Sequence, residues 1–125
     1  WNILMMMKMM NDKPLYPTQQ LTSLFVYQEE FQKKLGYDNL PVDDPNMMKQ
    51  HMLGLVGEIG EVLQADQRWK DNGRNEHYDK EEKLMEIADC LIYLVNVCLY
   101  SNIFADELYN ATVKKIDKNF KRLVK

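Results

Sequence analysis

Two stretches decide the fold of this chain, GLVGEIGEVLQA over residues 54–65 and LMEIADCLIYLV over residues 84–95. In each stretch, two acidic residues lie three positions apart among Leu, Ile, Val, Met and Ala. An α-helix of 3.6 residues per turn places such a pair on one face. The stretches therefore predict two helices with acid on faces that should be buried. The acidic residues are Glu58 and Glu61 in the first stretch and Glu86 and Asp89 in the second.

Acid in a helical core requires compensation, because an isolated carboxylate loses a large solvation free energy on burial. Hard divalent cations such as Mg²⁺ prefer oxygen ligands and would supply that compensation. We therefore predict a metal site that binds Mg²⁺, with Mn²⁺ as a substitute. Its expected ligands are Glu58, Glu61, Glu86 and Asp89.

The polar positions around the acidic pairs form a continuous stripe on each helix. On the later helix the stripe contains Glu86, Asp89, Tyr93 and Asn96. On the earlier helix the same offsets collect His51, Gly54, Glu58, Glu61, Ala65 and Arg68. Because side chains three, four and seven residues apart share a helix face, the stripes predict that the two helices are antiparallel neighbours.

Apolar periodicity and helix-end residues predict four helices and no strand. The expected helices span residues 18–35, 45–69 and 80–101, and a fourth runs from beyond Asn102 to the C-terminus. Helix starts are indicated by Asp44 before Pro45 and by Asp79 with Glu82, and a loop is indicated around Gly73. Asn102 can end the third helix in a left-handed conformation. The pattern predicts an all-α fold of the four-helix-bundle type.

Length and composition limit the classes of protein that fit. The chain has 125 residues, of which 46% are hydrophobic, and this suits one domain, which we place at 18–125 after an N-terminal extension over 1–17. A net charge of −3 argues against binding polymeric nucleic acid. The longest apolar stretch, residues 84–99, is short and contains acid, so we expect no membrane span. The first ten residues lack secretory-signal features, so we expect a cytoplasmic protein whose Cys90 and Cys98 are reduced.

A cationic stripe marks the last helix, and it is formed by Lys115, Lys118, Asn119 and Arg122. Such a stripe suits phosphate oxygens. It equally suits a solvated helix face or the C-terminal end of a helix dipole, and spacing alone favours this second interpretation.

Three glycines on the second helix, Gly54, Gly57 and Gly60, each cost about 1 kcal/mol relative to alanine. Close approach of another helix or of a ligand would offset this cost. We expect helix packing to account for at least two of the three.

Several alternatives compete with the metal site. In the first alternative the acids form buried ion pairs with Arg68, Lys115 or Arg122, although buried pairs are seldom more stable than apolar packing. A di-iron bundle would require Glu-x-x-His pairs, which are absent from these two stretches. His51 lies on the same helix face as Glu58, where it is either a substrate contact or an ordinary surface or hydrogen-bonded histidine.

GEIGEVLQA followed by EIADCLIYLVN resembles the all-α nucleoside triphosphate pyrophosphatase superfamily, which includes MazG-like proteins, dimeric dUTPases and dCTP pyrophosphatases. The superfamily signature is ExxE, a spacer and ExxD, which this chain carries as Glu58 to Glu61 and Glu86 to Asp89. The C-terminal KKIDKNFKR is similar to the basic final helix of the superfamily. The resemblance covers residues 53–122, although Phe104 and the ending LVK depart from the usual pattern.

The resemblance implies a MazG-like fold and hydrolysis of a nucleoside triphosphate between the α and β phosphates, in the service of nucleotide-pool house-cleaning. It implies that the four acids bind Mg²⁺, with Glu58 or Glu61 as the base that activates water. It also implies a homodimer or homotetramer with sites near subunit interfaces. Expected substrate contacts are Lys115, Lys118, Asn119, Arg122, Tyr93, Trp69 and His51. Two other functions remain open: a phosphoribosyl-ATP pyrophosphatase, and a non-catalytic helical interaction module.

Overall fold

The computed structural model describes residues 17–36, 40–70 and 77–124. The described chain forms helices α1 (Pro17–Lys34), α2 (Pro45–Ala65), α3 (Lys80–Tyr100) and α4 (Ala105–Leu123). Extended pairing within these residues is limited to one isolated bridge between Asp66 and Tyr78. The predicted all-α, four-helix fold is confirmed. The expected N-terminal extension up to residue 16 and the loop residue Gly73 lie outside the described residues.

Both predicted N-caps on the helices that carry the acids are confirmed. The Asp44 carboxylate accepts hydrogen bonds from the backbone N–H groups of Asn46 at 2.8 Å and Met47 at 3.4 Å. At α3, the Asp79 carboxylate accepts from the N–H groups of the second and third helical residues, at 2.9 and 3.3 Å. Because these donors have no partner inside the helix, the aspartates stabilise both helix starts.

Helix α2 ends four residues earlier than predicted. It stops at Ala65, and Asp66 has an extended backbone with φ −133° and ψ 100°. The backbone N–H of Gln67 donates to the carbonyl oxygen of His77 at 2.7 Å, so the chain after α2 pairs with the chain before α3. This pairing, which apolar periodicity does not reveal, takes Arg68 off the helical stripe on which we expected it.

Asn102 forms the corner between α3 and α4, as predicted, with a left-handed φ of 56°. Phe104 precedes α4 and has no side-chain oxygen or nitrogen with which to cap it. Instead, the Glu107 carboxylate accepts a hydrogen bond from the backbone N–H of Phe104 at 3.0 Å. The missing cap is thus partly replaced by an acid in the first turn.

Two packing arrangements build the domain. Helices α2 and α3 pack against each other along their lengths, while α1 packs against α3 and α4. The buried core lies where α1 meets the α3–α4 corner, and it contains Phe25, Val95, Cys98 and Ala105. Both cysteines are free thiols, with Cys98 buried and Cys90 half-buried.

Helix α2 approaches α3 closely at Gly54. A Cβ atom built at this position would overlap the ring of Tyr93 on α3. At Gly57 and Gly60 the same construction meets no atom of the described chain within 4 Å. The expectation that helix packing accounts for at least two of the three glycines is therefore wrong, because it accounts only for Gly54.

Large apolar side chains remain exposed on several helix faces. On α2 they are Met52, Val56, Ile59 and Leu63, on α3 Leu84, Ile87, Leu91 and Leu94, and on α4 Val113, Ile116, Phe120 and Leu123. No single helix among the described residues is long and apolar enough to cross a membrane. Only α3 and α4 taken together meet that criterion, and they are bent by 111° relative to each other.

Replacing Gly54 with alanine tests the contact with Tyr93. We expect Gly54→Ala to destabilise the protein by about 1–3 kcal/mol, since overpacking a close contact costs more than the gain in helix propensity returns. Urea denaturation followed by circular dichroism measures the change. Gly57→Ala is the matched control, because its Cβ meets open space, and it should stabilise the protein by up to about 1 kcal/mol. Equal effects at the two positions would contradict the close packing.

Candidate functional site

A cluster of carboxylates lies between α2 and α3. Side-chain oxygens of Glu58, Glu86 and Asp89 all lie within 4.8 Å of one another, and the three residues are half-buried. The helix stripes therefore face each other as the sequence predicts. The structure thus brings three of the four predicted metal ligands together.

The fourth predicted ligand, Glu61, is exposed and lies outside this close group. It is still near enough to act electrostatically. Burial raises the pKa of Glu86 above its usual value of 4.5, and the negative charges of Asp89, Glu61 and Glu58 raise it further. The pKa of the neighbouring Cys90 thiol is raised by burial and by the negative charges of Glu58, Asp89 and Glu86. The site is therefore a region of strongly negative potential.

No lysine or arginine among the described residues neutralises these acids. Across the described ranges, the ion pairs lie elsewhere, and none joins a lysine or arginine to Glu58, Glu61, Glu86 or Asp89. This excludes the buried-ion-pair alternative for the described chain. Since the clustered donors are all carboxylate oxygens, the residues fit a hard divalent cation better than a thiolate- or imidazole-seeking metal.

His51 lies further along the α2–α3 interface, beyond Gly54 and Tyr93. It is 7% exposed, and its ring stacks on Tyr100 with 4.6 Å between centroids and lies 6.0 Å from the Tyr93 ring. Neither ring nitrogen has a hydrogen-bond partner among the described residues. Burial lowers the pKa of His51, which keeps the ring neutral. Within the described structure, His51 is therefore neither a surface histidine nor a hydrogen-bonded one, which disfavours the ordinary interpretation of this residue.

Two glutamines of α1 join this buried polar region, and neither was predicted from the sequence. Gln28 donates to the Asn96 side-chain oxygen at 3.0 Å, and the Tyr100 hydroxyl donates to the Gln32 side-chain oxygen at 2.6 Å. A signal was present in the sequence. Leu21, Phe25, Gln28 and Gln32 follow the spacing of one inward helix face, so the glutamines occupy positions that helical periodicity assigns to the core.

The cationic stripe does not reach the acids within one chain. Lys115, Lys118, Asn119 and Arg122 are all exposed on the distal half of α4. Among the described helices, α4 packs against α1 and not against α2. One chain therefore carries separate acidic and basic surfaces.

Trp69 follows α2, where its indole N–H donates to the carbonyl oxygen of Leu63 at 3.0 Å. The Trp69 ring is 55% exposed and borders an open pocket of about 500 Å³ next to Arg68 and Lys83. The indole is thus anchored at one edge and accessible on its faces.

Four helices with a half-buried acidic cluster between the second and third define the class of protein, an all-α fold with a potential divalent-cation site. A protein-family model described as dUTPase matches residues 20–125, and the chain belongs to this family. The match confirms the superfamily resemblance and makes the protein a hydrolase of small-molecule nucleoside triphosphates. No curated protein matches the chain significantly.

The raised pKa of Glu86 predicts how the metal-free protein responds to pH. Ionised Glu86 is less favourable in the folded than in the unfolded state, so this group lowers the free energy of unfolding as pH rises above 4.5. Without divalent cations, Glu86→Gln should therefore melt at a higher temperature than the wild type at pH 7. The difference should shrink towards pH 4.

Thermal melts in EDTA at several pH values measure this effect. Glu30→Gln, at an exposed position on α1, is the control and should show no such pH-dependent difference. A Glu86→Gln protein that melts below the wild type at pH 7 would contradict the unfavourable ionisation.

Proposed function

We propose that this protein hydrolyses dUTP to dUMP and pyrophosphate in a reaction that depends on Mg²⁺, and that it thereby limits dUTP in the cytoplasmic nucleotide pool. The observation that carries the proposal is the convergence of Glu58, Glu86 and Asp89 within 4.8 Å in a chain of the dUTPase family. Acids in this arrangement repel one another, and a bound divalent cation would remove that repulsion.

Glu58, Glu86 and Asp89 would hold the cation, while their half-buried position limits competition from water. When bound, Mg²⁺ neutralises charge on the phosphate oxygens and orients the triphosphate. The carboxylates therefore act by fixing where the phosphates lie relative to α2 and α3.

Glu61 is the better candidate for the catalytic base. It lies one turn beyond Glu58 on α2, close enough to influence Glu86 but outside the close carboxylate group. Its oxygens are therefore available to accept a proton from the attacking water. A phosphorus–oxygen bond to that water forms, the α–β anhydride bond breaks, and pyrophosphate leaves with the electron pair.

The nucleoside end of the substrate belongs on the Tyr93 side of the acids. The unpartnered nitrogens of His51 lie there, and in the neutral ring one nitrogen donates and the other accepts. The imide edge of uracil offers a donor and acceptors, and one of the two ring nitrogens can pair with it, since the two nitrogens point in different directions. Tyr93 lies between His51 and the acids. The Tyr93 ring must therefore shift when substrate binds, or form part of the surface along which the substrate lies. Trp69 would contact substrate only from the opposite end of α2.

Substituting His51 tests this placement. His51→Ala should raise the KM for dUTP about fivefold, because about 1 kcal/mol is lost with a ligand hydrogen bond, while kcat changes little. Steady-state kinetics separates the two parameters. His77→Ala is the control, since His77 is exposed and paired with Glu82 at 2.8 Å. An unchanged KM in His51→Ala would remove His51 from the substrate site.

The exposed apolar faces support association into a homodimer or homotetramer. Ile116, Phe120 and Leu123 are 48%, 64% and 80% exposed along one face of α4, beside the cationic stripe. Covering this face with a second copy would bury apolar surface and would bring Lys115, Lys118, Asn119 and Arg122 towards an acidic site. Sedimentation equilibrium tests this proposal, because a mass of 14.9 kDa would mark a lone chain.

The proposed reaction is tested by pyrophosphate release from dUTP, with and without Mg²⁺. We expect Asp89→Asn and Glu61→Gln to lower turnover at least about 100-fold, because several kcal/mol of transition-state stabilisation are lost, while helicity is unchanged. Glu30→Gln serves as the control and should be fully active.

Other outcomes favour other functions. Turnover retained in both variants would remove the catalytic assignment. Preferential hydrolysis of phosphoribosyl-ATP would identify the protein as a phosphoribosyl-ATP pyrophosphatase. Absence of binding to both Mg²⁺ and a non-hydrolysable nucleotide in calorimetry would favour an interaction module.

A further inference from the structure

A second charged cluster lies at the end of the α2–α3 pair where the chain leads from α2 to α3. The Asp66 carboxylate accepts hydrogen bonds from Nε and Nη2 of Arg68, both at 2.8 Å, and from Nζ of Lys83 at 2.8 Å. Lys83 lies on α3, so this contact ties the end of α2 to the first turn of its neighbour. Among the described residues, the Asp66–Lys83 pair is the one ion pair that connects α2, including its C-cap residue Asp66, to α3.

The same cluster fixes the chain on both sides of the connection. The Arg68 guanidinium lies 3.5 Å from the centroid of the Tyr78 ring, and Tyr78 forms a backbone bridge with Asp66. The hydrogen bonds from Arg68 and Lys83 hold the pKa of Asp66 well below its usual range, so the acid is ionised. Asp66 is therefore a charged centre at which α2, the connection and α3 meet.

The contacts along the two helices follow one antiparallel alignment. Asp66 meets Lys83 at the connected end, Glu58 meets Glu86 and Asp89 in the middle, and Gly54 meets Tyr93 beyond. A slip of one residue moves each side chain by about 1.5 Å along the axis and rotates it by about 100°. Such a slip would separate carboxylates that must lie within 4.8 Å. Repulsion among the acids favours separation, so contacts outside the cluster must maintain the alignment.

We propose that Asp66 and Lys83 are positioning residues whose ion pair fixes the alignment at which the Glu58 carboxylate meets those of Glu86 and Asp89, and so sets the affinity of this cluster for a divalent cation. The inference rests on the proposed metal site. It concerns residues that contact neither the cation nor the substrate.

Replacing Lys83 with an uncharged residue distinguishes a positioning role from a purely electrostatic one, because the two roles predict opposite changes in cation affinity. Lys83 is the first cationic residue before Glu86, so its loss makes the potential at the acids more negative and by Coulomb attraction alone tightens cation binding. If Lys83 positions the acids, Lys83→Met weakens binding instead. Mutation of residues that orient metal ligands typically lowers metal affinity about 10-fold or more. For Lys83→Met we expect a decrease of about tenfold.

Titration of the purified protein with Mn²⁺, followed by electron paramagnetic resonance of the free ion, measures this affinity without relying on turnover. Lys83→Met, Asp66→Asn and the double variant should all bind Mn²⁺ about tenfold more weakly than the wild type, since each breaks the same contact. Lys83→Arg should restore most of the affinity. The matched control is Lys33→Met, which breaks the exposed Lys33–Glu29 pair at 3.2 Å within α1 and should leave affinity unchanged.

The outcomes distinguish the two proposals. A wild-type protein that binds no Mn²⁺ overturns the metal site itself. A wild-type protein that binds Mn²⁺, with Lys83→Met binding equally or more tightly, overturns the positioning role alone. Circular dichroism checks that each variant is folded, and Lys83→Gln replaces Lys83→Met should the latter lose helical signal.

Discussion

Repulsion among the carboxylates of Glu58, Glu86 and Asp89 is the constraint on which the rest of the structure depends. Each acid comes from a helix that is otherwise apolar at neighbouring positions, and no lysine or arginine among the described residues pairs with any of the three. The helices therefore hold like charges at a distance that those charges oppose. Such an arrangement is useful to a protein that recruits a cation, and it requires other contacts to stabilise it.

Two contacts on either side of the acids supply that stabilisation. On one side, the absence of a side chain at Gly54 lets the ring of Tyr93 lie directly against α2. On the other side, Asp66 links the end of α2 to Lys83. Neither contact touches the acids, yet each restricts sliding and rotation of one helix against the other. Helix α1 supports this pair from outside, contributing Gln28 and Gln32 to the buried polar contacts of α3.

The separation of acidic and basic surfaces has a physical consequence for the proposed reaction. The acids lie between α2 and α3, whereas the cations lie on the exposed half of α4, which packs only against α1 among the described helices. A triphosphate needs both a cation at the acids and donors for its oxygens. A chain with large exposed apolar faces can meet both needs by associating with another copy, and the same association would cover those faces.

The sequence by itself determined the helical fold, the caps at Asp44 and Asp79, the left-handed corner at Asn102 and the pairing of the acidic faces. All of these follow from local rules, namely helical periodicity and the hydrogen-bonding needs of helix ends. Tertiary structure decided that α2 ends at Ala65, that only Gly54 among the three glycines is tightly packed, and that Glu61 stays outside the close group. It also left the ring nitrogens of His51 buried without partners. These outcomes depend on which atoms of distant segments meet, and sequence spacing fixes a direction around one helix but not the distance to its neighbour.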